Sequence, residues 1–88
     1  MARFESIDNI YNRLIIMGHD YQFSYNGGEY FLSRYSVKGK KIFTIAENYQ
    51  NDDPLEFNTF DELLDNYKAD NGKPAREFLL EADIEYEF

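Results

Sequence analysis

The sequence predicts an α+β fold: an N-terminal helix, a three-stranded antiparallel meander, two C-terminal helices and a short C-terminal edge strand. Three observations predict it. Apolar residues recur at three- and four-residue steps near the N-terminus. They alternate with polar residues around two glycine turns in the middle, and they return to helical spacing after residue 59. With 88 residues and no internal repeat, the chain fits one domain over 1–88.

Phe4, Ile7, Ile10, Tyr11, Leu14 and Ile15 form one stripe, which predicts a helix from near Phe4 to Met17. Ser6 suits its N-cap, and Gly18 suits the left-handed position past its end. Tyr21, Phe23 and Tyr25 then alternate with Gln22 and Ser24, as in a strand. Asn26-Gly27-Gly28 is a hairpin signal, because primed turns need positive φ. A second strand follows from Glu29 to Val37, a turn at Lys38-Gly39-Lys40, and a third strand from Lys41 to Glu47.

Turn parity sets the faces. Tyr30, Leu32, Phe43 and Ile45 join Tyr21, Phe23 and Tyr25 on the expected core side, against the first helix. The opposite side carries Phe31, Tyr35, Val37, Ile42 and Ala46 beside Gln22, Ser24, Ser33 and Thr44. That mixture reads either as a face covered by later helices or as a binding surface.

Residues 48–58 read as a loop, with Pro54 opposing regular pairing. Thr59 and Glu62 have capping-box spacing, and Phe60, Leu63, Leu64 and Tyr67 form the stripe of a second helix. Asp70-Asn71-Gly72 is a turn, and Pro74 suits the first position of a third helix that buries Ala75, Phe78 and Leu79. The tail Asp83-Ile84-Glu85-Tyr86-Glu87-Phe88 alternates acid with apolar and reads as an edge strand, with continued helix as the alternative.

A chain this short buries only about 60–65% of its unfolded surface, so large side chains must supply the burial. Eight Phe and eight Tyr do so, which excludes a disordered chain despite the charge. The absence of Cys removes disulfides, thiolate nucleophiles and cysteine metal sites. No secretory signal or membrane span is legible, so a cytoplasmic location in a bacterial host cell is the expectation.

Charge is the most informative property. The net value is −8, and it is lopsided. Residues 1–46 hold four acids and six bases, whereas residues 47–88 hold thirteen acids and three bases. Such a field repels nucleic acid and anionic lipid and attracts basic surfaces. The basic hairpin Arg34, Lys38, Lys40 and Lys41 reads as an edge guarded against aggregation rather than as a phosphate-binding patch.

Catalytic chemistry is poorly represented. The only histidine, His19, directly follows the helix-ending Gly18, and no zinc-protease or phosphate-loop motif occurs. Asp52-Asp53 and Asp61-Glu62 are carboxylate pairs without a cleft to separate their pKa values. A calcium loop centred on Gly72 puts Tyr67 first and Phe78 twelfth, where acids are required. The expectation is no enzyme, no cofactor and no metal, with a hydrolase built on clustered carboxylates as a minor alternative.

Recognition of a protein remains. Asp52, Asp53, Glu56, Asp61, Glu62, Asp65, Glu77, Glu81, Asp83, Glu85 and Glu87 are candidates for one broad negative surface. Carboxylates on adjacent helix turns have a spacing that imitates a row of phosphates. Tyr35 and Tyr49 are candidate contacts, because Tyr combines large area with a polar tip. The same groups also read as an ordinary solvated surface.

The segments Phe23-Ser24-Tyr25-Asn26-Gly27-Gly28-Glu29-Tyr30 and Phe60-Asp61-Glu62-Leu63-Leu64 resemble those of short proteins of Gram-positive bacteria and their phages. In layout, size and acidity the whole chain resembles the small phage-encoded anti-CRISPR inhibitors of RNA-guided nucleases. That resemblance implies a stoichiometric inhibitor that acts as a nucleic-acid mimic in a cationic groove. The expected partner is another protein with a basic surface, such as a nucleic-acid-binding effector, and not nucleic acid or membrane. A homodimeric structural or assembly module is the alternative.

Overall fold

The computed structural model of the chain describes residues 3–47 and 54–88. Its elements are α1 (Ile7–Ile15), β1 (Tyr21–Tyr25), β2 (Gly28–Val37), β3 (Lys40–Glu47), β4 (Leu55–Phe57), α2 (Phe60–Asn66), α3 (Ala75–Phe78) and β5 (Asp83–Glu87). The strands form one antiparallel sheet ordered β4-β3-β2-β1-β5.

This overturns the predicted layout of a helix, a three-stranded meander and two helices. Sheet dominates, and the C-terminal helices are small. β4 lies in the stretch read as a loop on account of Pro54. That proline immediately precedes the strand, where its missing N–H removes no ladder bond. The C-terminal segment is a full partner of β1, so the sheet extends beyond the meander at both edges. α3 is a single turn, because Leu79–Glu81 leaves the helix. Pro74 is its N-cap and not its first residue.

α1 begins at Ile7, where Ser6 Oγ accepts from Asn9 N at 3.0 Å. Phe4 therefore precedes the helix, yet it is buried edge-on against Tyr21 at 5.0 Å. The helix ends at Ile15 and leaves Ile16 and Met17 exposed. Gly18 then takes φ +72, and a Cβ there would lie 2.8 Å from Arg34 Nη2. Arg34 Nε donates to Leu14 O at 2.8 Å, so a cation from β2 covers the negative end of α1.

Both hairpins close through pairs of positive-φ residues, Asn26-Gly27 and Lys38-Gly39, as twisted antiparallel strands favour. The resulting register pairs Tyr21 with Leu32, Phe23 with Tyr30, and Leu32 with Ile45. Together with Phe43 these side chains are buried in one cluster with Ile10 and Leu14 of α1, Phe60, Leu63 and Leu64 of α2, and Phe78 of α3. All three helices thus feed the core on one side of the sheet. Phe78 sits at its centre, 5.5 Å from Tyr30 and 5.1 Å from Tyr25, while Phe23 and Tyr30 stack at 5.3 Å.

Candidate functional site

The acids proposed from sequence do not converge. β4 and β5 are opposite edges of the sheet. At the usual strand spacing they lie about 19 Å apart. Glu56 is on β4, and α2, which carries Asp61, Glu62 and Asp65, packs against β3 and β4. Asp83, Glu85 and Glu87 are on β5, at the other edge. Glu77 is exposed on α3. Asp52, Asp53 and Tyr49 lie outside the described residues.

Many of these carboxylates are already compensated. Arg76 of α3 reaches back to Asp65 Oδ1 at 2.8 Å and Asp61 Oδ1 at 3.2 Å. The guanidinium holds the Asp65 carboxyl below the usual range. Lys73 Nζ binds both Glu81 oxygens, at 2.8 and 3.1 Å, and Arg3 binds Asp83 at 3.2 Å. The predicted negative surface is therefore divided between two edges and partly neutralised.

Glu87 gathers three partners. Tyr21 OH donates to its Oε2 at 2.8 Å, His19 Nδ1 meets the same oxygen, and Arg13 Nη1 lies 3.5 Å from Oε1. Burial alone would raise the Glu87 carboxyl, but the bonds from Tyr21 and His19, with the field of Arg13, leave it below the ordinary glutamate value. Burial and the Glu87 carboxylate push the Tyr21 phenol up to about 12. Sequence reasoning assigned Glu87 to a surface and His19 to a turn. Neither reading could anticipate the cluster without the β1–β5 pairing.

The second notable feature is the sheet face turned away from the helices. The register places Phe31, Tyr35, Val37 and Ile42 there. A β-bulge then divides the tail. Ile84 pairs with Phe23 on the core side, whereas Tyr86 pairs with Gln22 on the open side. Phe88, bonded through its backbone to Asp20, completes an aromatic group, its ring 6.0 Å from Phe31 and 6.1 Å from Tyr86. Tyr86 and Phe88 are 59% and 61% exposed. From sequence alone, plain alternation would put Ile84, Tyr86 and Phe88 on one face; only the bulge separates them.

Across this face Tyr35 OH donates to Glu56, a bond that spans β3 from β2 to β4. Thr44, which pairs with both Ser33 and Glu56 between those strands, is nearly buried. The carboxylate pushes the Tyr35 phenol upward.

No group of three or more potential metal ligands occurs among the described residues, and no helix among them is long and apolar enough to cross a membrane. Two clefts stand out among the described residues. One, of about 560 Å³, is polar and lies along Arg3, the first hairpin turn and Asp83. The other, of about 510 Å³, lies between α1, β3 and the start of α2. Comparison with family models, with curated proteins and with solved structures returned no match.

Proposed function

We propose that the chain is a small protein-binding inhibitor or regulator that presents the open face of its sheet to a basic partner. One observation carries the reading: the helices pack on one side, and the opposite side exposes Tyr35, Val37, Tyr86 and Phe88. A single exposed apolar residue means little, but several on one sheet face, interspersed with polar groups, have the usual anatomy of an interface. Glu29, Glu56 and Asp83 have strand positions on this face, and Asp20 lies beside it, accepting from Ser33. A second copy would add another net charge of −8, which disfavours face-to-face self-association and favours a cationic partner. The divided carboxylates no longer supply the support that the nucleic-acid-mimic form of this reading drew from sequence.

The test is parallel capture from one cell extract with wild type and a Val37→Asp/Tyr86→Asp variant as baits. Urea unfolding and sedimentation of each bait are run alongside. The reading predicts a basic protein retained by wild type, weakened by salt and lost from a variant that stays folded and monomeric. Equal capture by both baits, or a salt-insensitive homodimer of the wild type, would refute it.

A further inference from the structure

The cleft between α1, β3 and α2 has a composition that the open-face reading does not use. Its floor is aromatic: Phe43 and Phe60 are nearly buried with ring centroids 5.4 Å apart. Tyr11 lies over both, stacked on Phe43 at 6.2 Å and tilted on Phe60 at 6.0 Å, yet it remains 43% exposed. One side of its ring is therefore spent on the core and the other is offered to the cleft. Lys40 and Lys41 line the β3 end. Among the described residues neither makes an ion pair with a carboxylate, and Lys41 Nζ donates only to Ser36 Oγ at 3.2 Å. Lys38 and Lys68 likewise have no ion pair among the described residues, so what marks Lys40 and Lys41 is their place at the cleft. Asp8 and Asp61 also line the cleft, and Asp61 already shares Arg76.

We propose that this cleft binds a planar aromatic molecule carrying one anionic group, of the size class of a nucleoside monophosphate. A volume of about 510 Å³ is that of a small-molecule site. The exposed Tyr11 ring, backed by the nearly buried Phe43 and Phe60, selects a flat apolar body, because it offers a face to stack. The lysines take the anion by charge-assisted hydrogen bonds, and Asp8 accepts from donor groups of the ligand. A nucleic acid strand is disfavoured by the same features: the chain's net −8 and the aspartates oppose a polyanion while tolerating a single anion next to two lysines.

The experiment is an amide-detected NMR titration of the full chain with AMP, adenosine, inorganic phosphate, indole-3-acetate and a short single-stranded oligonucleotide. AMP is expected to give saturable shifts at Tyr11, Lys41, Phe43 and Phe60. Adenosine should bind about tenfold more weakly. Phosphate alone should give no saturable shift. Lys40→Gln/Lys41→Gln is expected to reduce AMP to the level of adenosine with an otherwise unchanged spectrum, and Tyr11→Leu to weaken both. The better of AMP and indole-3-acetate identifies the anion as phosphate or carboxylate. The proposal is overturned if AMP and adenosine bind equally, if the shifts centre elsewhere, if the lysine variant binds AMP as wild type does, or if the oligonucleotide binds more tightly than AMP.

Discussion

Tyr21, fully buried in the first strand, donates its phenolic proton to Glu87 in the last, at 2.8 Å. The bond joins residues 66 positions apart and pins an edge strand that pairs with β1 alone. With Arg13 and His19 on the same carboxylate, the anionic form of Glu87 is preferred in the fold. A depressed carboxyl pKa contributes stability above the unfolded-state value and loses it as pH falls through the folded value. Glu87→Gln is therefore expected to lower stability at neutral pH by about 1 kcal/mol, reduced for partial exposure. That corresponds to a fall in Tm of about 4–8 °C. The difference from wild type should shrink steadily through the acidic range. Thermal melts of both proteins across pH check this; a pH-independent difference would mean that the carboxylate charge plays no part.

At the alkaline end the signs reverse. The phenols of Tyr21 and Tyr30 are each pushed up to about 12, in both cases chiefly by burial. A phenol whose folded pKa is raised favours the fold while neutral. That contribution is complete below the unfolded value and is lost as pH rises through the folded one. Ultraviolet titration should show Tyr21 and Tyr30 ionising late, near 12. Unfolding followed by circular dichroism should accompany the late step. Tyr21→Phe should remove one lagging group.

Gly18 and Arg34 make a coupled pair. The glycine is left-handed, and any Cβ there meets the guanidinium that covers the end of α1. Gly18→Ala is expected to cost about 1–2 kcal/mol, from the left-handed backbone and the displaced arginine together. Arg34→Ala should cost about 1 kcal/mol through the uncovered Leu14 carbonyl. The double variant should cost less than the two together, because either change alone already disturbs the same contact. Additive losses in urea unfolding would show that the two residues act separately.

Lys38 is one of two non-glycine residues with positive φ among those described, and the other is an asparagine. Asn26 shows what the equivalent corner of a primed turn prefers. Lys38→Asn is expected to stabilise the chain by about 0.5 kcal/mol, since Asn tolerates the left-handed region better than Lys. A small rise in Tm, without loss of sheet signal, is the measurement.

These residues also show what sequence makes legible. Local rules hold where the signal is local: the Ser6 and Thr59 caps, the Asn26-Gly27 turn, and the alternation that buries Tyr21, Phe23, Tyr30 and Leu32. Pairings between distant segments are not written in any window. β4 has three residues, too few for period two to stand out, and the tail strand's bulge changes which face Tyr86 and Phe88 occupy. The acids failed as a group for the same reason. Counting them along the chain ignores Arg3, Arg13, Lys73 and Arg76, which the fold brings to Asp83, Glu87, Glu81 and the aspartates of α2. The open face is half visible in the sequence, because turn parity alone places Phe31, Tyr35, Val37 and Ile42 together.

The bond from Tyr35 to Glu56 tests how β4 is held. β4 is an edge strand of three residues with one neighbour, and Leu55 is exposed, so its ladder bonds are among the easiest in the sheet to open. A cross-strand tie from β2 restrains it without adding to the core. Tyr35→Phe keeps the ring on the open face and removes only the donor. Hydrogen exchange should then accelerate at the β4 amides, while β1 and β2 exchange as before and the global melting curve barely moves. Glu56→Gln, which removes the charge but keeps an acceptor, should give a smaller acceleration. If Tyr35→Phe instead accelerated exchange throughout the sheet, β4 would be part of the cooperative core. If it changed nothing, pairing with β3 and the packing of Phe57 would be sufficient to hold the edge.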